Sequence, residues 1–243
     1  MAVLLGPSLK QADLISQELG EGPGDIERGV RDLRSMLAAS PYLPDPENVD
    51  KRVLELFVRG CRMDLDRARS KLEAYCLARA RFRDLYEHRS LSCPPLNDVC
   101  KFMDIVVLPK LTDEGYRITI FRIRPEYPES SADVTNAVRA VLLTSDVRMY
   151  DEHQIGGDVF IYEYYLHPKV EQLLEHIPAR VLPSEWGGEE DTIDVLAKKW
   201  CRRIDEVSPY LRIFNEACCE APAPINDVDI YGTVGAFRKL DID

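Results

Sequence analysis

The chain has 243 residues and a formal net charge of −11 at pH 7, from 31 basic and 42 acidic residues. This acidic balance argues against general affinity for nucleic acid, because such affinity depends on contacts between cationic side chains and phosphates. Hydrophobic residues make up 45% of the chain. A chain of this length buries about 70% of its unfolded surface, so it needs neither a disulfide nor a metal ion for stability.

The seven cysteines are odd in number and no two have the C-x-x-C spacing. This pattern gives no support to a zinc or redox motif, and free thiols in a reducing cytosol are the simplest interpretation. The apolar run at the start of the chain is too short for a signal peptide, and no window approaches the ~20 apolar residues of a spanning helix. We therefore expect a soluble cytoplasmic protein without a metal or cofactor.

The first part of the chain is predicted to be helical. Ile26, Val30 and Leu33 share one helical face, and Asp64 is suited to cap a long helix after a shorter one that Gly60 closes. The breaker "SCPPLND" then marks a boundary. We predict a helical region over 1–92, a second domain over 93–220 and a tail over 221–243.

The segment from Lys51 to Arg89 is locally basic, with eleven Lys and Arg against six Asp and Glu. One interpretation is a pair of solvated helix faces, which is what charge runs usually are. The other is a patch that binds anionic lipid or phosphate.

The pattern after the boundary predicts a βαβ unit. "YRITIFRI" (116–123) alternates and is rich in β-branched and aromatic residues, which is typical of a strand. Residues 132–150 have the apolar spacing of an amphipathic helix, and "DVFIYEYYL" is a second strand. Strand, helix and strand in this order imply parallel pairing with a right-handed crossover.

Two strands alone make only a marginal sheet. After Leu166 only His167 and Pro168 precede a predicted helix in "VEQLLEHIP", so no further strand follows directly. Three sources of a further strand remain open: strands in the tail ("DVDIYG" and "GAFRKLDI"), a strand from a partner, or a segment missing from the chain.

Several separated stretches resemble the CRAL-TRIO lipid-transfer family. They are "VLELFVRGCRMDLDRARSKLEAYCLAR", "TDEGYRITIFRI", "GGDVFIYEYY", "LLEHIPARVLPSEWGGEE" and the final "GTVGAFRKLDID". The last of these is similar to the tails of insect members related to tocopherol- and retinaldehyde-transfer proteins. The resemblance implies an α/β fold, with an N-terminal helical region followed by a CRAL-TRIO-like βαβ core and a reduced, mostly parallel sheet.

The chain departs from this family near residues 166–168. The family normally carries several dozen residues there, including a mobile lid helix and central strands of the sheet, and this chain has none of them. The departure coincides with the point at which the two-strand sheet already lacks a neighbour. A spliced form or a faulty gene model would produce such a join, and a genuine compact variant is the third alternative.

The motif "LPSEWGG" predicts a structural turn. Pro183 disfavours helical geometry at Leu182, Trp186 is suited to anchor the turn in an apolar notch, and Gly187-Gly188 permits a reversal of the backbone. The two glycines precede no phosphate-loop pattern, which favours a structural role over a catalytic one.

We do not expect an enzyme. None of the four histidines stands in an H-E-x-x-H motif, and Ser145 lacks the G-x-S-x-G context of a nucleophile. The resemblance instead implies ligand contacts, apolar ones from Phe121, Val138, Val141, Leu142 and Ile161 and a polar one from Ser145. For the five apolar residues, ordinary core packing is the alternative.

The resemblance also implies that Arg59 binds phosphoinositide head groups, with a structural salt bridge as the alternative. The expected function is intracellular binding and transfer of a hydrophobic small molecule, such as a tocopherol, a retinoid or another lipid, with transient association with phosphoinositide-containing membranes. The alternative is a shortened form without a closed cavity, which acts as an interaction module or has no function.

Overall fold

The computed structural model describes residues 4–38, 43–87, 90–124, 133–152, 154–163 and 170–211. In these ranges the chain forms α1 Leu9–Leu19, α2 Asp25–Leu37, α3 Lys51–Gly60, α4 Leu65–Arg81, α5 Arg83–Tyr86, α6 Val99–Phe102, β1 Met103–Leu111, β2 Tyr116–Ile123, α7 Val134–Asp151, β3 Gly157–Glu163 and α8 Ile193–Val207. Among these helices, none is both long enough and apolar enough to cross a membrane.

The first five helices confirm the predicted helical region. Ser8 and Gln11 form a capping box at the start of α1, while Asp50 and Asp64 accept hydrogen bonds from backbone amides at the starts of α3 and α4. Such caps satisfy amide groups that have no partner within the helix. The predicted apolar face of α2 is buried against α3 and α4. The predicted boundary at 92 lies in the connection between α5 and α6.

The three strands form one mixed sheet in the order β1-β2-β3. β1 pairs with β2 in antiparallel orientation, with Ile105 opposite Phe121. β2 pairs with β3 in parallel orientation, with Phe121 opposite Tyr162, and α7 lies between these two strands in the chain. The α/β class, the reduced sheet and the βαβ unit are therefore confirmed.

The third strand comes from β1, which the sequence did not predict. Val106, Val107 and Leu108 are all buried, so this strand lacks the alternation of apolar and polar residues that marks β2. The register shifts between Val107 and Leu111, the part of the strand that contains Pro109. Proline cannot donate a ladder hydrogen bond and occurs in sheets at edges or bulges, as it does here.

The two faces of the sheet contact different layers. On one face Ile105 and Val107 pack with Leu143 and Val147 of α7. On the other face the core is formed by Val106, Leu108, Ile118 and Ile120 of the strands, together with Trp186, Ile193 and Leu196. The sheet is thus covered by α7 on one side and by α8 and its preceding turns on the other.

The helix predicted in "VEQLLEHIP" is a 3-10 helix over Val170–Glu175, not an α-helix. α-Helical spacing would place Leu174 on the same apolar side as Ile177, but Leu174 is 39% exposed, whereas Ile177 is buried. A 3-10 helix has three residues per turn, so a face drawn with α-helical spacing does not stay on one side. The junction at 166–168 and the tail strands proposed in 221–243 lie outside the described residues.

The turn around Trp186 has the structural role predicted from its sequence. Gly187 has a φ of 75°, and the amide of Gly188 donates to the carbonyl of Pro183 at 3.0 Å. The amide of Glu190 donates to the carbonyl of Leu182 at 3.0 Å, which closes the loop, and Trp186 is buried in the core below it. This turn positions the start of α8.

Gly188→Ala is expected to destabilise the protein by about 3 kcal/mol or more, because its new Cβ forces overpacking against the backbone. That Cβ would lie 1.9 Å from the carbonyl oxygen of Leu182. Gly60→Ala is the matched control, since nothing lies within 4 Å of a Cβ there and Gly60 is in a helix. Urea denaturation of both variants tests the expectation, and equal unfolding free energies would contradict it.

Candidate functional site

A cavity of about 590 Å³ lies between the N-terminal helices and the βαβ unit. Its walls come from the end of α1, from α3 and the residues after it, from α4, from all three strands, and from α7. Neither the N-terminal helices nor the βαβ unit forms this wall alone. The volume falls within the ~300–1,000 Å³ that is typical of small-molecule sites.

Most of the wall is apolar. Leu56 and Phe57 approach from α3, and Phe121 lies opposite them on β2. The ring of Phe121 stacks on that of Tyr162, with centroids 5.1 Å apart, and contacts that of Phe160 at 6.1 Å. The other apolar residues of the lining are Leu19, Cys61, Ile105, Val141, Met149 and Ile155.

Helix α7 supplies one continuous stripe to the cavity. Val141, Thr144, Ser145, Arg148 and Met149 all line it, at intervals of three and four residues. Residues at these intervals lie on one face of an α-helix. Four residues of the stripe are apolar or carry a hydroxyl group. The charged one, Arg148, lies near the end of the helix.

Two buried hydroxyl groups of the wall have no hydrogen-bond partner among the described residues. Thr119 on β2 and Thr144 on α7 are 2% and 4% exposed, and the Oγ1 atom of each is unsatisfied. The hydroxyl of Ser145 donates to the carbonyl of Val141 at 2.9 Å. Buried polar groups are nearly always hydrogen-bonded, so the two threonines are places where a bound molecule gains a partner.

Charged side chains surround the mouth of the cavity. Arg59 is paired with Glu21 at 3.0 Å and with Glu55 at 3.4 Å. Burial raises the pKa of Glu21, although the nearby guanidinium of Arg59 opposes the rise. Arg62 and Lys71 are exposed, and neither forms an ion pair within the part of the chain that the structure describes.

A buried ion pair between Arg117 and Glu152 supports the site. Arg117 is fully buried on β2 and binds Glu152 through two hydrogen bonds of 2.8 and 3.0 Å. Its remaining donors reach the carbonyls of Leu5, Leu108 and Pro109. One side chain therefore joins the N-terminal segment, β1, β2 and the end of α7.

The structure brings together four of the residues to which the resemblance assigned binding roles. Phe121, Val141, Ser145 and Arg59 all line the cavity. The pairing of Arg59 with Glu21 is also the salt bridge that was its alternative interpretation.

The other three predicted residues lie outside the lining. Val138 is 42% exposed and Leu142 is half-buried, and both lie on α7 beside the stripe. Ile161 points to the opposite face of the sheet, where it packs against the core that contains Trp186. Its neighbour Phe160 lines the cavity instead, because successive residues of a strand point to opposite faces.

The sequence contained a signal for some of the lining residues that were not predicted. Starting from Val141, helical spacing leads directly to Thr144 and Met149. No local pattern pointed to Leu56 or Phe57, because their role depends on how α3 packs against the sheet.

No protein-family model matches this sequence, and a comparison with curated proteins also finds no match. The fold and the site define an α/β protein with a mainly apolar cavity, open to solvent on one side, between its helical region and its βαβ unit.

Proposed function

We propose that the protein binds a hydrophobic small molecule in this cavity and releases it at a membrane. The observation that carries the proposal is a cavity of about 590 Å³ whose wall is mostly apolar, although three hydroxyl-bearing and six charged residues also line it. Sites for small apolar molecules combine such a volume with a mostly apolar wall. The motifs that resemble the CRAL-TRIO family point in the same direction.

Binding requires no chemical step. Transfer of apolar surface from water into the cavity supplies about 25 cal/mol per Å². The unsatisfied hydroxyls of Thr119 and Thr144 lie on facing elements, and a hydroxyl or carbonyl group of the ligand can pair with them. A tocopherol or a retinoid combines an apolar body with one such group.

The binding proposal is tested by exposing the purified protein to a lipid extract, separating the two by gel filtration and analysing what remains bound. We expect one class of apolar compound to be retained at a constant ratio to protein. If no compound is retained at any protein concentration, the proposal fails.

The membrane step rests on the positive charge at the mouth of the cavity. Arg59, Arg62 and Lys71 lie close together there, and the last two are exposed without an ion pair among the described residues. Charge-assisted contacts from such side chains suit the phosphates of phosphoinositides. The opening for the ligand and the proposed contact with the membrane are thus on the same side.

Arg59→Gln is expected to weaken sedimentation with vesicles that contain phosphatidylinositol bisphosphate by about fivefold, as the loss of one cation at a membrane surface does. Arg69→Gln is the control: it makes the same change of charge on α4, at a side chain that does not line the cavity. If both variants bind vesicles equally well, Arg59 has only its structural role in the pair with Glu21.

A second function is favoured by one feature of β3. Phe160 and Tyr162 are 51% and 52% exposed, and β3 is an edge strand of the described sheet. An exposed edge strand with aromatic residues is a template for pairing with another chain. The protein would then be an interaction module, and light scattering distinguishes the two functions: a protein that stays monomeric at all concentrations disfavours the module.

A further inference from the structure

Two cysteines that are far apart in sequence meet at the surface of the core. Cys100 lies on α6 and Cys201 on α8, and their Sγ atoms are 3.8 Å apart. Both residues are half-buried, so a small molecule in solvent has access to them. No local pattern in the sequence points to this pair, because its members are 101 positions apart.

The two thiols are chemically unequal. A hydrogen bond from the thiol of Cys201 lowers the pKa of Cys100, whereas the same interaction, together with burial, raises the pKa of Cys201. The thiolate is the nucleophilic form of cysteine. Cys100 is therefore the member of the pair that attacks first.

The distance between the two sulfur atoms is that of a reduced pair, and a small movement is enough to form a disulfide. A disulfide requires an S–S distance of roughly 2.05 Å, so the two atoms have to approach by a further ~1.8 Å. Cys100 lies on a helix of only four residues, next to the connection from α5. Each thiol also lies against the same apolar core, which keeps the two side chains side by side.

We propose that Cys100 and Cys201 form an oxidation site at which hydrogen peroxide converts the two thiols into a reversible disulfide. This inference is independent of the proposed ligand. The pair differs from the other described cysteines: Cys61 and Cys76 are buried, and Cys93 is exposed.

The reaction balances in two steps. The thiolate of Cys100 attacks one oxygen of the peroxide, the O–O bond breaks, and the released oxygen leaves as water with the proton that Cys100 had given up. Cys201 then loses its proton and attacks the sulfur of the resulting sulfenic acid. The S–S bond forms, the S–O bond breaks, and the hydroxide leaves as a second water with that proton. Two thiols are oxidised by two electrons and one peroxide is reduced.

The disulfide would tie α6, which leads into β1, to α8 on the other side of the sheet. The closed loop runs from Cys100 to Cys201 and includes all three strands and α7. Oxidation would therefore link the segment that leads into β1 to α8 without placing a bond inside the cavity.

The test treats the reduced full-length protein with hydrogen peroxide, alkylates the remaining thiols and cleaves the chain before aspartate residues. This cleavage separates Cys93, in peptide 84–97, from Cys100, in peptide 98–103, and places Cys201 in peptide 194–204. We expect a cross-linked species of peptides 98–103 and 194–204, about 2 Da lighter than the sum of the reduced peptides. A thiol reductant should remove it.

Three variants control the test. Cys93→Ser should form the cross-link as the wild type does, whereas Cys100→Ser should not. Cys201→Ser should leave Cys100 as a sulfenic acid that dimedone traps. The proposal is overturned if Cys100 and Cys201 remain alkylatable after treatment, or if the main disulfide involves another cysteine.

Discussion

Replacing Arg117 by methionine is expected to lower the free energy of unfolding by about 3–5 kcal/mol, the usual cost of removing one partner from a buried ion pair. Glu152 is 3% exposed at its side chain and would retain, among the described partners, Arg148 at 3.4 Å. Three backbone carbonyls would also lose the donor that Arg117 supplies. Urea denaturation followed by circular dichroism measures the change.

Arg69→Met is the control for this variant. Arg69 is paired with Glu73, but the side chains of both remain partly exposed, at 38% and 30%. Exposed pairs of this kind contribute at most about 1 kcal/mol. If Arg117→Met costs no more than Arg69→Met, the buried pair does not hold the N-terminal segment, the sheet and α7 together as argued.

Val141→Trp is expected to weaken the binding of an apolar fluorescent probe at least about tenfold, a loss of 1.4 kcal/mol or more. Val141 lines the cavity from α7, and an indole at this position would occupy space that the probe needs. Titration of the probe into the protein gives the two dissociation constants. Circular dichroism of the variant shows whether the fold is kept.

Val138→Trp is the matched control, because it makes the same substitution one turn earlier on the same helix. Val138 is 42% exposed and does not line the cavity. We expect its dissociation constant to stay within about twofold of the wild type, as for a surface change away from the site. Equal loss of binding in both variants would show that the loss does not come from filling the cavity, and unchanged binding in Val141→Trp would show that the probe binds elsewhere.

The elements that were predicted correctly are those with a strong local period. The apolar face of α2 and the alternation in β2 are visible in short windows of the sequence, and both segments form the predicted elements, although Arg117 and Thr119 are buried together with Ile118 and Ile120. The βαβ unit followed from their order. β1 was missed because a strand buried over most of its length lacks alternation, and Pro109 interrupts it.

The site was predicted in part. Val141 and Ser145 on α7 were identified, since one helical face carries both, but the other wall of the cavity is formed by α3. Contacts between elements that are far apart in sequence leave no local periodicity. The prediction named Ile161, whereas its neighbour Phe160 lines the cavity, and this error has a different cause. The strand was identified, but the face of the strand that meets the cavity depends on its pairing with β2.

The pair of Cys100 and Cys201 illustrates the same limit. A count of cysteines and their spacings identifies motifs that are local in sequence. These two residues are separated by 101 positions and are brought to 3.8 Å only because α6 and α8 both pack against α7 and β1.

The proposed function requires that the cavity between the N-terminal helices and the βαβ unit holds one hydrophobic molecule. Native mass spectrometry of the wild-type protein after exposure to a lipid extract tests this requirement. We expect a single adduct at one molecule per chain, which disappears in Val141→Trp and persists in Val138→Trp. A wild-type spectrum with the mass of the bare chain alone, or an adduct that Val141→Trp leaves unchanged, would contradict it.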